Sequence, residues 1–153
     1  YNLINESTSD NDSTYIYQTI SSTANSTINS TFGLSKSSLS NIKITSVKIV
    51  MVAKDSDSNI TSSASAVLKQ NNTTIATASA SSLRTSYSTY TGTGNLSSLD
   101  NLTVTITSSG YKSSSKDDNG YVRITQVYVE ITYEETQAGT GLYIKSNGSY
   151  VEV

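Results

Sequence analysis

Asp55-Ser56-Asp57-Ser58-Asn59 places side-chain oxygens at alternate residues, the spacing of the first half of an EF-hand calcium loop. Calcium takes oxygen ligands, so this is the stretch with the clearest metal chemistry. It then departs from that pattern: Ile60 stands where the turn glycine is required, and no Glu closes the loop. A β protein can also pool carboxylates from separate loops, and Asp10, Asp12, Asp117 and Asp118 would contribute to such a site. The plain alternative is that these acids are solvated turn residues. The metal expectation is therefore a structural calcium ion on Asp55, Asp57 and Asn59, and no other cofactor is expected.

The remaining reactive groups do not assemble a catalytic set. Histidine and cysteine are absent, which removes the commonest general base and all thiol chemistry. No Gly-x-Ser-x-Gly elbow occurs; Ser113 to Lys116 has the spacing of a Ser-Lys dyad, in a run of plain Ser and Lys. A glycosidase needs two carboxyls across a cleft, one in a pocket that raises its pKa. The acids here fall mostly in polar stretches, and Glu130, between Val129 and Ile131, is expected to face water. No enzymatic activity is expected.

Tyrosine is the third kind of candidate. There are 11 Tyr against one Phe and no Trp, so tyrosine supplies most of the aromatic surface. A tyrosine offers a flat apolar face with a hydroxyl at its edge, which suits amphipathic ligands such as sugars. Tyr15, Tyr17, Tyr87, Tyr90, Tyr111, Tyr121 and Tyr128 lie in or at the ends of expected strands. With so few other large side chains, most of them are expected in the core or at interfaces. The ten Asn-x-Ser/Thr sequons, Asn25, Asn59 and Asn101 among them, follow from a composition rich in all three residues.

The scaffold for these groups must be built from an unusual composition. Ser and Thr number 31 and 22 of 153 residues, and only 35% are hydrophobic. Such a chain is either disordered or a β-sandwich with hydroxyl-bearing outer faces. Charged residues are only 14%, and the β-branched and aromatic residues gather into alternating runs, which favours the sandwich. A pI near 5.0 with ten scattered basic residues argues against nucleic acid. No apolar run approaches the ~20 residues that span a bilayer as a helix. No initiator Met and no signal peptide begin the chain, so it reads as a piece of a longer protein.

Strands are expected at Tyr15 to Ile20, Ser26 to Leu34, Ile42 to Lys54, Ala64 to Lys69, Thr74 to Ala80, Thr85 to Thr91, Leu102 to Thr107 and Tyr121 to Tyr133. Asn71-Asn72 reads as a hairpin tip, and Asn119-Gly120 and Asn147-Gly148 as turns with positive φ. Ile42 to Ile49 matches Val122 to Val129 in pattern, and in both the apolar phase slips by one residue at a Thr-polar pair, Thr45-Ser46 and Thr125-Gln126. A slip of one residue turns every side chain to the other face, so a bulge or a sheet-switching bend is expected at each place. Two long bent strands of this kind suit the two sheets of a sandwich or jelly roll. The expected fold is all-β, an antiparallel, jelly-roll-like β-sandwich over 1–133. A linker follows at 134–140, then at 141–153 a C-terminal β-hairpin or the start of a following unit.

Four stretches carry a resemblance: Asp12 to Ile16, Leu83 to Tyr90, Gly120 to Tyr133 and Gly141 to Val153. The first three resemble the jelly-roll modules of phage virion proteins, such as tail fibres and other surface structural proteins, and the last is similar to short hairpins that follow such modules in gut-phage proteins. The resemblance implies a non-enzymatic structural or host-attachment module of a tail fibre, head fibre or decoration protein, on the virion surface or otherwise extracellular. It implies as partners other virion proteins or further copies of the chain, a trimer among the options, and a host surface glycan, with no nucleic acid and no membrane. The absence of Pro and Trp departs from many such modules. The alternative is a carbohydrate-binding or adhesin domain of a bacterial surface protein.

Overall fold

Alternation of apolar and hydroxyl residues sets the strands. The computed structural model describes residues 15–35, 41–57, 59–136, 143–146 and 149–152. Its strands are β1 (Ile16–Ile20), β2 (Ser26–Gly33), β3 (Ile42–Asp55), β4 (Ile60–Gln70), β5 (Thr73–Ala80), β6 (Ser88–Gly94), β7 (Leu102–Lys112), β8 (Gly120–Glu135), β9 (Tyr143–Ser146) and β10 (Ser149–Glu152). In β7, Leu102, Val104 and Ile106 are buried while Thr103, Thr105 and Thr107 are half-exposed, the pattern of a strand with one dry face. Each expected strand is present, with shifted ends. β4 begins at Ile60 and β7 continues to Lys112 because polar Ser62 and Ser108 occupy inward positions, which hides the alternation. β8 continues through Glu134 and Glu135, where the linker was expected, since Lys43 and Ile42 provide pairing partners. β9 and β10 form the expected hairpin; Asn147-Gly148 lies outside the described residues.

The pairings β1–β8, β2–β7, β3–β6 and β4–β5 describe one long antiparallel hairpin. Its tip is Asn71-Asn72, with φ of 49° and 67°, the left-handed pair required by a type I′ turn. Rolled up, the hairpin gives two four-stranded sheets, β1-β8-β3-β6 and β2-β7-β4-β5. This is the connectivity of a jelly-roll sandwich. The turn expected at Asn119-Gly120 has a different basis. Gly120 opens β8 without positive φ, and a Cβ there would meet Ile60 Cγ2 at 2.6 Å and Ser56 Oγ at 2.7 Å. Among the described residues the other left-handed asparagines are Asn41 and Asn101.

The two long strands with matching sequences, β3 and β8, lie side by side in one sheet instead of serving two. Both expected slips are bulges. Ile44 pairs Tyr133 and Ser46 pairs Thr132, leaving Thr45 as the extra residue of β3. Val52 pairs Gln126 and Ala53 pairs Ile124, leaving Thr125 as the extra residue of β8. Each bulge keeps the apolar residues on both sides of it facing the core. The core opposes large side chains to small ones. Val47, Ile49, Met51 and Ile124 of the first sheet face Ala64, Ala66, Ala76, Ala78 and Ala80 of the second, with Leu68 and Ile106 among them. Small residues on one face let large ones interdigitate, so a modest apolar content still closes a dry interior.

Candidate functional site: an aromatic and basic sheet face

The outer face of the β1-β8-β3-β6 sheet carries a band of tyrosines around a basic row. Register sets Tyr17 opposite Arg123, Arg123 opposite Lys54, and Thr19 opposite Tyr121. The Arg123 guanidinium carbon lies 4.5 Å from the Tyr121 ring centroid, 4.8 Å from Tyr15 and 5.7 Å from Tyr17. Tyr15 and Tyr17 pack with centroids 5.9 Å apart, and Tyr17 and Tyr121 at 5.5 Å, both tilted. Lys54 Nζ sits 4.5 Å over the ring of Tyr87, which just precedes β6. Cations over ring faces fix the rings in place, and each such contact stabilises by about 0.5–1 kcal/mol at exposed sites. Tyr15 and Tyr17 remain 42% and 45% exposed.

Further along the same face, Val50 is buried although its side chain points away from the core; its register partners are Tyr128 and Thr91. Cross-strand pairs Lys48–Glu130 and Lys43–Glu134 are salt-bridged. Glu130 therefore faces solvent as expected, and its hydrogen bond raises the Lys48 pKa. Of the seven tyrosines singled out in the sequence, Tyr15, Tyr17, Tyr87, Tyr121 and Tyr128 belong to this face. Tyr90 turns inward, and its buried hydroxyl has no hydrogen-bond partner among the described residues. Tyr111 is exposed on the outer side of the other sheet. Arg123 and Lys54, which organise the band, carried no signal of their own in the sequence. Alternation within β8 and β3 places them outward, but only strand pairing brings them together.

The residues with calcium-like spacing sit at the end of this sheet and point in different directions. Asp55 is buried at the end of β3, where its Oδ2 accepts a hydrogen bond from Ser62 Oγ at 2.7 Å. Asp55 Oδ1 is buried without a hydrogen-bond partner among the described residues. Asp57 Oδ1 accepts the Asn59 N–H at 2.6 Å, closing an Asx turn. Ser56 Oγ accepts the Tyr121 N–H. Among the described residues no three acidic, His or Cys side chains are grouped to hold a metal ion. Asp117 and Asp118 lie in the β7–β8 loop, where the Asp117 carbonyl accepts a hydrogen bond from Lys112 Nζ. Ser58, Asp10 and Asp12 lie outside the described residues. Ser113 and Lys116 are both exposed in the β7–β8 loop.

Burial raises the Asp55 carboxyl above the usual carboxylate range; the Ser62 hydrogen bond opposes the rise and the Asp57 charge adds to it. The folded state thus binds this proton more tightly than the unfolded chain does. Its contribution to stability is full below the ordinary carboxylate pKa and is lost as pH rises through the folded-state value. Asp55→Asn keeps an acceptor for Ser62 and removes the charge. The stability of the variant relative to the parent, from urea unfolding, should therefore rise from pH 4 to pH 8 as the parent's carboxyl ionises. Parallel pH profiles for the two proteins would show that Asp55 does not titrate in this range.

A shallow groove of about 190 Å³ lies near the start of β3, lined by Ile42, Ile44 and Leu99 with Asn41, Ser97, Ser98 and Asp100. It is smaller and more open than a site that engulfs a small molecule. The tyrosine face is the more developed surface. No family model, no curated protein and no solved structure gives a significant match to this chain, so its standing rests on its own architecture, an all-β antiparallel sandwich of two four-stranded sheets.

Proposed function

We propose that the chain is a non-enzymatic structural or host-attachment module of a phage virion, displayed on the particle surface. The observation that carries this reading is the rolled-hairpin strand order, β1-β8-β3-β6 over β2-β7-β4-β5. Eight-stranded jelly rolls of this kind serve as capsid and lectin domains. Its hydroxyl-rich outer faces and lack of cysteine suit a particle that is assembled in a reducing cytoplasm and then exposed outside. The test is immunogold labelling of purified particles from a phage encoding the chain. Labelled particles, with adsorption blocked by the same antibody, support the module. Unlabelled particles overturn it.

A second reading, a carbohydrate-binding or adhesin domain of a bacterial surface protein, is favoured by the Tyr15–Tyr17–Tyr121 band. Fixed, half-exposed rings present apolar faces and hydroxyls together, the chemistry that recognises pyranose rings. A glycan array probed with the purified chain should then show binding that Tyr17→Ala weakens by about tenfold, the equivalent of ~1.4 kcal/mol. An array without signal, or one insensitive to Tyr17→Ala, removes this face as a sugar site.

A further inference from the structure

We infer that two copies of this chain associate through β2, edge to edge, in an antiparallel pairing centred on Ser30 that joins their β2-β7-β4-β5 sheets into one. The inference is independent of the tyrosine face and of any ligand.

A sheet of four strands has two edges, and among the described residues the other edges of the two four-stranded sheets are short or covered. β5 and β6 close on one another at their shared side, where Gly92 and Gly94 lie against the backbone of Thr77 and Ile75. β1 is only five residues long. β2 is an eight-residue edge strand with an unbroken register to β7. It lacks the devices that usually blunt such an edge: there is no Pro, no bulge, and no charged residue anywhere from Tyr15 to Ser35. Like-charge repulsion therefore does not oppose pairing with an identical strand.

The hydrogen-bond parity of β2 selects the register. The Leu34 N–H donates to Leu102 O just past the end of β2, in register with the β2–β7 ladder. Even-numbered residues thus turn their amides toward β7, and Thr27, Asn29, Thr31 and Gly33 turn theirs toward the open edge. Self-pairing must match odd residues with odd. Pairing about Ser30 sets Asn29 against Thr31 and Thr27 against Gly33, so every outward N–H and C=O of the strand finds a partner. It also sets Ile28 against Phe32 of the second copy, twice by symmetry, at non-hydrogen-bonded positions where side chains approach most closely.

That apolar match covers surface the single chain leaves open. Ile28 is half-exposed and is neither in the core nor in the layer packed against it, Phe32 is only partly buried, and Leu34 is 38% exposed. An aromatic against a β-branched residue is a favoured cross-strand pair. On the solvent face, Thr27, Asn29 and Thr31 are already aligned by side-chain hydrogen bonds to Ser109, Thr107 and Thr105 at 2.8, 2.7 and 3.1 Å. Because the same patch meets itself, the contact closes on a two-fold axis.

Sedimentation equilibrium of the full chain tests this, with a concentration-dependent monomer–dimer equilibrium expected. Asn29→Pro removes an N–H that points to the open edge and leaves the β7 ladder intact, so it should weaken the dimer by at least about tenfold, whereas Asn29→Ala, which loses the same Thr107 hydrogen bond but keeps the N–H, should leave the dimer in place. Ser30→Cys would be the chain's single cysteine, and it meets its own copy across the axis. Cα atoms at such a position are about 4.5 Å apart, within disulfide reach. Mild oxidation should cross-link Ser30→Cys to a dimer and leave Ile28→Cys, which faces Phe32, mostly uncrosslinked. A chain that stays monomeric at all concentrations, one that forms trimers, or equal cross-linking of the two variants overturns the proposal.

Discussion

Gly92→Ala is expected to destabilise the fold by ~3 kcal/mol or more, at the upper end for overpacking. The added Cβ would fall 1.9 Å from Thr77 O and 2.4 Å from Thr77 C, and at Gly94 it would fall 2.1 Å from Ile75 O. These are backbone atoms of β5, so no rotamer change relieves the clash. β5 and β6 would have to separate, opening the side on which the two sheets close. Chemical denaturation of Gly92→Ala beside Gly33→Ala measures this. Gly33 has nothing within 4 Å of its Cβ position, so its variant should stay within about 0.5 kcal/mol of the parent. Equal midpoints for the two variants would mean that β6 does not lie against β5.

Deletion of Thr125 is expected to cost more than any single truncation on the surface. Thr125 is the extra residue that lets Val122 and Ile124 on one side, and Val127 on the other, all face the core. Without it, one side must turn outward. Exposing Val122 and Ile124, which are 1% and 0% accessible, costs about 1.5–3 kcal/mol each. Deletion of Thr45 gives the comparison. It lies near the start of β3, where only the partly buried Ile42 and Ile44 would turn. Thermal midpoints should fall in the order parent, Thr45 deletion, Thr125 deletion. If the two deletions are equal, the bulges do not set the phase of their strands.

Both bulges were legible in the sequence because a phase slip is a local property: Ile42 and Ile44 take one parity, Val47 and Ile49 the other. The Asn71-Asn72 tip was legible for a similar reason, since adjacent asparagines tolerate the left-handed backbone that a two-residue hairpin needs. Inward polar residues were not legible. Ser62 and Ser108 lie just outside the strands that alternation marks, and only their partners Asp55 and Gln18, brought from other strands, make their burial tolerable. The calcium spacing of Asp55, Asp57 and Asn59 is a related case. Three oxygens alternate along the chain, but strand alternation sends Asp55 into the sandwich while Asp57 turns back on its own loop.

Sequence alone determined the elements: where alternation makes a strand, where asparagine makes a turn, and where a spare threonine makes a bulge, all consequences of nearest-neighbour geometry. Tertiary structure alone decided which strands share a sheet, and so which tyrosines meet Arg123, which glycines meet backbone, and which edge is left open. Those outcomes depend on pairings between residues many strands apart, whose free energy comes from burying both faces of the sandwich at once.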